Sequence, residues 1–142
     1  MKEVDFQTRF GKWLRSEKGG WAQGVFELKL ARGKRIAWRV LEEHQERALL
    51  QATGSAGVYY KLSDLSFGSK PFDCFMTRNA SAWVVVGWME SSEKGKERLL
   101  GWTMTRVAEW VRLRAEKQAL GLRGGASVTC EELKGQSIWV EV

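Results

Sequence analysis

In the run Val25-Phe26-Glu27-Leu28-Lys29-Leu30, apolar and charged residues alternate over Phe26–Leu30, which is the period of an extended strand. Such a strand projects Glu27 and Lys29 from one face and Phe26, Leu28 and Leu30 from the other. A carboxylate placed this way can bind a divalent cation. The ammonium beside it can position or deprotonate a water, or steady charge developing on a phosphate. Mg2+ suits such a site, because it binds through one or two carboxylates and completes its shell with water and phosphate oxygens. The plain alternative is a solvated ion pair on one strand face.

A second acid stands out at Asp73, in Lys70-Pro71-Phe72-Asp73-Cys74-Phe75. Aspartate disfavours strands, so an acid between two phenylalanines needs a reason. It is either a second metal ligand or a turn or capping residue at a strand end. On the first reading, Glu27 and Asp73 lie on adjacent strands, share one metal, and have Lys29 in the same pocket.

Around these acids the charge is positive. Lys29, Arg32, Lys34, Arg35 and Arg39 follow one another with no acid between residues 29 and 39. Read as a loop over Ala31–Arg39, this run suits a phosphodiester backbone, or it is an ordinary solvated loop. His44 is the single histidine, and with two distant cysteines, Cys74 and Cys130, it cannot complete a Cys/His zinc site. A lone histidine on a helix is more often a packing or surface residue than a catalyst. There is no Gly-x-Ser-x-Gly elbow and no glycine-rich nucleotide loop, so no nucleotide cofactor is expected.

The elements that must position these groups can be read from periodicity. A first helix is predicted over 5–17, capped by Asp5, with Phe6, Phe10, Trp13 and Leu14 on its apolar side. The strand carrying Glu27 follows over 21–30. A second helix over 40–52 shares Leu41, His44, Gln45, Ala48, Leu49 and Ala52 on one face. Val58–Leu62 and Pro71–Met76 read as strands around a polar loop, Ser63–Lys70. Ala82–Trp88 reads as an apolar strand, and the spacing predicts a hairpin over 72–88. Glu90–Arg98 reads as an exposed loop. Thr105 is expected to cap a third helix to about 120, stopped by Gly121 and Gly124-Gly125. A short helical turn and a strand over 137–142 end the chain.

The 142 residues suit a single domain spanning 1–142, with 44% hydrophobic and 28% charged residues. Lys and Arg number 23 against 17 Asp and Glu, a net charge of +6, which favours a nucleic-acid partner. Eight tryptophans are expected mainly in the core or at a dimer contact. No apolar run spans a bilayer, and Met1–Asp5 lacks the apolar stretch of a signal peptide, so a cytoplasmic setting without a membrane is expected.

Glu27-x-Lys29, the Gly33-Lys34 loop and His44-Gln45 on a helix together resemble the PD-(D/E)xK nuclease superfamily, and within it the archaeal-type and phage-encoded Holliday junction resolvases. Tyr60-Lys61-Leu62-Ser63-Asp64 through Lys70-Pro71-Phe72-Asp73-Cys74-Phe75 resembles a segment of the phage-type group. The resemblance covers about residues 5–88, and 89–142 add nothing to it. It implies an α/β fold with a restriction-endonuclease-like core, a mixed central sheet flanked by helices. It also implies a Mg2+-dependent, structure-selective endodeoxyribonuclease, with Mn2+ as a substitute ion, that resolves four-way DNA junctions by paired nicks. Glu27, Asp73 and the Leu28 carbonyl would hold the metal. Lys29 would orient the attacking water, and Gln45 would support Lys29 or the metal-bound water. Arg32, Lys34, Arg35, Lys61 and Lys70 would hold phosphates. A homodimer is expected, its interface drawn from tryptophans and the 82–88 strand, and a virus-encoded protein acting in a host cytoplasm fits. The chain departs from the usual pattern in one respect, since Asp73 follows the E-x-K strand rather than preceding it. Where members often carry a first-helix glutamate this chain has Gln7, and Glu3 or Asp5 could substitute. A nuclease acting on flap or linear duplex DNA, and a non-catalytic basic DNA-binding protein, are the alternatives.

Overall fold

Val84, Val85 and Val86 follow Trp83 without a polar residue, so the strand that carries them must be covered on both faces. In the computed structural model, which describes residues 1–63, 70–121 and 125–142, that strand lies inside the central sheet. The described elements run α1 (Glu3–Leu14), β1 (Val25–Arg32), β2 (Arg35–Ala37), a 3-10 turn (Trp38–Val40), α2 (Glu43–Thr53), β3 (Val58–Lys61), β4 (Cys74–Thr77), β5 (Ala82–Ser91), β6 (Glu97–Arg106), α3 (Val107–Ala119), β7 (Ser127–Thr129), α4 (Cys130–Lys134) and β8 (Ile138–Glu141). A four-stranded sheet has the order β1-β5-β6-β8. β1 runs parallel to β5, and β6 runs antiparallel to both β5 and β8. The chain is therefore mixed α/β, with β1 at one edge of a mixed sheet.

Each face of the sheet has its own core. On one face α1 buries Phe6 and Phe10 against Val85, Trp102 and Met104. Gly87 makes room there: a Cβ would stand 3.0 Å from both the Phe6 ring and Leu30, so any larger residue would push those side chains aside by a few tenths of an ångström. On the other face Val84, Val86 and Trp88 meet Trp110 of α3, Leu49 of α2 and Leu133 of α4. This second face also buries Thr103 and Thr105. The Trp88 indole N–H donates to Thr103 Oγ1 at 3.0 Å, which satisfies a donor that would be costly if buried alone.

Most predicted elements are present, with shifted ends. α1 starts earlier than expected, and Asp5 serves it from within, its carboxylate accepting the Lys2 N–H at 3.0 Å. α2 begins at Glu43, after the 3-10 turn. Thr105 is a strand residue rather than a helix cap, and Arg106 takes the cap position of α3. The loop expected over 63–70 falls, at 64–69, outside the described residues, and so does Gly124. α3 stops before Gly121, which sits at φ +60, as a glycine after a helix end commonly does.

Three expectations are corrected. The 72–88 hairpin does not form: β4 pairs antiparallel with β3, and β5 pairs with β1 and β6. The segment between β4 and β5 is tied back to the end of α2, with Asn79 N–H donating to the Gly54 carbonyl and Ala80 N–H to the Ala52 carbonyl, both at 2.9 Å. Glu90–Arg98 is not simply a loop but the tip of the β5–β6 hairpin. Its charges stay in water because both strands run past the core, and Arg98 pairs with Glu90 across them at 3.0 Å. Finally, residues 82–88 cannot supply a dimer contact, since all are buried within the chain. Trp38, Trp83, Trp88, Trp102 and Trp110 are buried too, whereas Trp21 is exposed.

Candidate active site

β1 carries Glu27 and Lys29 toward α2 while Phe26, Leu28 and Leu30 pack on the α1 side. The lysine is the more enclosed of the pair, its side chain 11% exposed against 27% for Glu27. Lys29 Nζ lies 3.2 Å from Glu27 Oε1. A lysine buried to this degree needs an anionic partner, and Glu27 provides it. From α2, Gln45 Nε2 donates to the same Oε1 at 3.0 Å. The other end of that amide accepts the Glu42 N–H at 3.0 Å. Gln45 is thus fixed at both ends, one closing the first turn of α2 and the other holding the carboxylate of β1.

Glu27 and Gln45 open into a cleft of about 360 Å³ between the β1 edge and α2, lined also by His44, Ala48, Val58 and Tyr60, whereas Lys29 lies behind Glu27 and does not line it. His44 is exposed at its rim, with Nδ1 3.4 Å from Glu42 Oε2. Tyr60 and Val58 come from β3 of the separate two-stranded sheet. The alternation in Val58-Tyr59-Tyr60 puts Val58 and Tyr60 on one side. Nothing in the sequence indicates that this side turns toward β1, so their place in the cleft is legible only in the fold.

Glu27, Lys29 and Gln45 are therefore brought together. Asp73 is placed differently from the expectation of an adjacent strand. β4 hydrogen-bonds to β3, and the neighbour of β1 is β5, where the residue in register with Glu27 is Val84. A strand buried on both faces has no room for an acid there. Asp73 precedes β4, accepts the Leu62 N–H on its carbonyl at 2.8 Å, and pairs its carboxylate with Lys70 Nζ at 3.3 Å while 86% exposed. Among the described residues no three His, Cys, Asp or Glu side chains group to hold a metal. The donor chemistry here fits a cation that keeps most of its waters and takes one or two hard oxygens from the protein, not a caged one. Glu27 and the Leu28 carbonyl lie next to each other on β1, and Asp73 lies on the hairpin whose Tyr60 lines the cleft.

The basic run is not one loop. Lys29 is inside. Arg32 is held by Glu97 and donates to the Met1 carbonyl at 2.8 Å. The Arg32 guanidinium, with the amino group of Met1, holds the Glu97 carboxyl below the ordinary carboxylate range. Lys34 is exposed in the turn between β1 and β2. Arg35 donates to Ser127 Oγ at 3.0 Å, and Lys61 is exposed at the end of β3. α1 lies on the opposite face of the sheet from Glu27, and there Glu3, Asp5 and Gln7 are all exposed. Comparison of the chain with protein-family models, with curated proteins and with solved structures finds no match.

Proposed function

We propose that this protein is a Mg2+-dependent, structure-selective DNA endonuclease that cuts four-way junctions by paired nicks. The observation that carries the reading is Glu27, hydrogen-bonded by Gln45 and ion-paired with Lys29, on a sheet edge at an open cleft of a basic protein. The finer reading of the fold, a restriction-endonuclease-like core, goes with it. Its support is the E-x-K strand lying parallel to a buried apolar strand, with helices on both faces.

In this reading Glu27, the Leu28 carbonyl and Asp73 would hold the cation. When bound, Mg2+ (or Mn2+ in its place) polarises the scissile phosphate and lowers the pKa of a bound water. Gln45 keeps the Glu27 carboxylate at one orientation by occupying Oε1. Lys29, shielded from solvent beside that oxygen, orients the attacking water. Hydrolysis adds that water across a P–O bond, and the cleaved strand leaves with one phosphate-bearing end. Lys34, Arg35, Lys61 and Lys70 hold backbone phosphates, and such contacts register shape rather than sequence; Arg32, engaged by Glu97 and the Met1 carbonyl on the α1 side, is left out of that surface. Two opposed incisions call for two sites, so a two-fold homodimer is part of the proposal. Action in a reducing cytoplasm agrees with Cys74 and Cys130 both being free thiols.

The placement of Asp73, paired with Lys70 and exposed, favours a second reading, a basic DNA-binding protein that does not cut. One experiment separates the two. A synthetic four-way junction and a linear duplex of the same sequence are incubated with the protein, with and without Mg2+. Paired nicks in the junction that need Mg2+ and vanish in Glu27→Gln support the resolvase. Cutting of the duplex alone moves the assignment to another nuclease. Binding without cutting leaves the DNA-binding protein.

A further inference from the structure

The β3–β4 hairpin has a composition unlike the rest of the surface. Tyr59, Tyr60, Phe72, Phe75 and Met76 are each more than a third exposed, although large apolar groups normally leave water when they can. Tyr60 and Phe75 are direct cross-strand partners. Their ring centroids are 5.6 Å apart and their planes are inclined by 34°. Tyr60 also lines the cleft that holds Glu27 and Gln45. Tyr60 thus stands at the mouth of the candidate active site with Phe75 beside it, each ring with surface still open to solvent. Tyr59 alternates to the other side of the hairpin, opposite Met76.

We infer that Tyr60 and Phe75 form a stacking platform for an unstacked nucleobase next to the phosphate held at Glu27, and that this platform selects DNA with unpaired or splayed bases over continuous duplex. The inference rests on the nuclease reading for the position of that phosphate. Its occupant follows from charge and shape. The net charge of +6 and the exposed Lys61 and Arg78 on and beside the hairpin suit a polyanion. Every base has a flat π-face that an aromatic ring accepts without regard to sequence. In continuous duplex those faces are covered by neighbouring base pairs. At a branch point or single-stranded gap a base can be turned out and offered to the rings. The platform would therefore supply a preference for structure that phosphate contacts alone cannot supply.

The test measures binding in EDTA, so that cutting plays no part. The probes are a four-way junction with 2-aminopurine at the branch point, a short single strand, and a fully paired duplex of matching sequence. Wild type should quench 2-aminopurine on binding. Tyr60→Ala and Phe75→Ala should each lose the quench and weaken junction and single-strand binding by about 5- to 100-fold, with duplex affinity unchanged. Tyr60→Phe should retain both signals. Tyr59→Ala, on the other side of the hairpin, should bind as wild type does. Because all three aromatics are exposed, circular dichroism and thermal melting should confirm that the variants fold. Equal binding of junction by wild type, Tyr60→Ala and Phe75→Ala would overturn the platform, even if wild type cuts junctions in Mg2+. A quench that depends on Tyr60 in a protein that never cuts would keep the platform while the nuclease reading fails. Conversion of a wild-type dimer to a monomer by Tyr60→Ala in sedimentation would assign the face to a second copy and also overturn it.

Discussion

Glu27 and Asp73 are both acids flanked by apolar residues, yet the fold treats them in opposite ways. Glu27 is half-buried, and one of its oxygens is shared by Lys29 and Gln45. Asp73 stands in solvent with Lys70. The first position is determined by the sheet: β1 must turn Phe26, Leu28 and Leu30 inward toward α1, and that fixes Glu27 and Lys29 on the α2 side. The second is set only by a two-stranded hairpin outside that sheet. A side chain fixed by a core can be built into a site with its supporting bonds in place. One fixed by a peripheral hairpin depends on what that hairpin meets.

The largest expected effect that tests this contrast is on cutting. Glu27→Gln and Lys29→Met should each lower junction cleavage in Mg2+ by about 100-fold or more, while binding in EDTA persists. Asp73→Asn should fall as far if the hairpin acid completes the metal site. Cleavage by Asp73→Asn at the wild-type rate would assign the chemistry to β1 alone. Next in size is stability. Glu27→Gln leaves the enclosed Lys29 without its anion and should cost about 1–3 kcal/mol in urea unfolding. Adding Lys29→Met to it should recover most of that loss, because both partners are then gone. Asp73→Asn should change stability by less than about 0.5 kcal/mol, as exposed substitutions usually do. If the two acids cost the same to remove, the contrast between them fails. The smallest effect concerns Glu97, whose folded carboxyl is held low first by hydrogen bonding to Arg32 and then by the Met1 amino group. A lowered folded pKa adds stability above the unfolded value. That increment should disappear as pH falls through the folded one. Melting temperature followed from neutral to acid pH should therefore drop less steeply in Glu97→Gln than in wild type.

The parts of the fold legible in the sequence are those with strong period or composition. β1 showed its alternation, β5 its unbroken apolar run, and α1 and α2 their faces of Phe6 and Phe10, and of Gln45, Ala48 and Leu49. The final strand and short helix were also readable. What escaped was pairing. The local spacing of 72–88 suggested a hairpin, but a strand buried on both faces competes for the sheet centre, and the exposed Cys74-Phe75-Met76 cannot follow it there. β6 escaped for a related reason. Its ends are charged, at Glu97-Arg98 and Arg106, and reading Thr105 as a helix cap hides the short alternation Trp102-Thr103-Met104-Thr105 at its centre, whose threonines face the second core. In the site, Glu27-x-Lys29 was readable because both residues lie on one strand. The Gln45 bond to Glu27 and the entry of Tyr60 are tertiary facts that no spacing encodes.

The position of β1 at the sheet edge has a further consequence. β5 and β6 are joined by a tight turn in which Gly95 N–H donates to the Ser92 carbonyl at 2.9 Å. β1 must instead wait for a partner that follows α2 and the β3–β4 hairpin in the chain. Closing the longer loop costs more entropy and comes later in folding. An edge strand held on one side is also the easiest to release in partial opening. We therefore expect the amides of β1 to exchange with solvent deuterium through a sub-global opening of lower free energy than the opening that exposes β5, a difference that equal protection of the two strands would refute. Glu27 and Lys29 then belong to an edge strand that joins the sheet after the β5–β6 hairpin and opens before β5, so mild denaturant should silence the site while the β5–β6 pair is still intact.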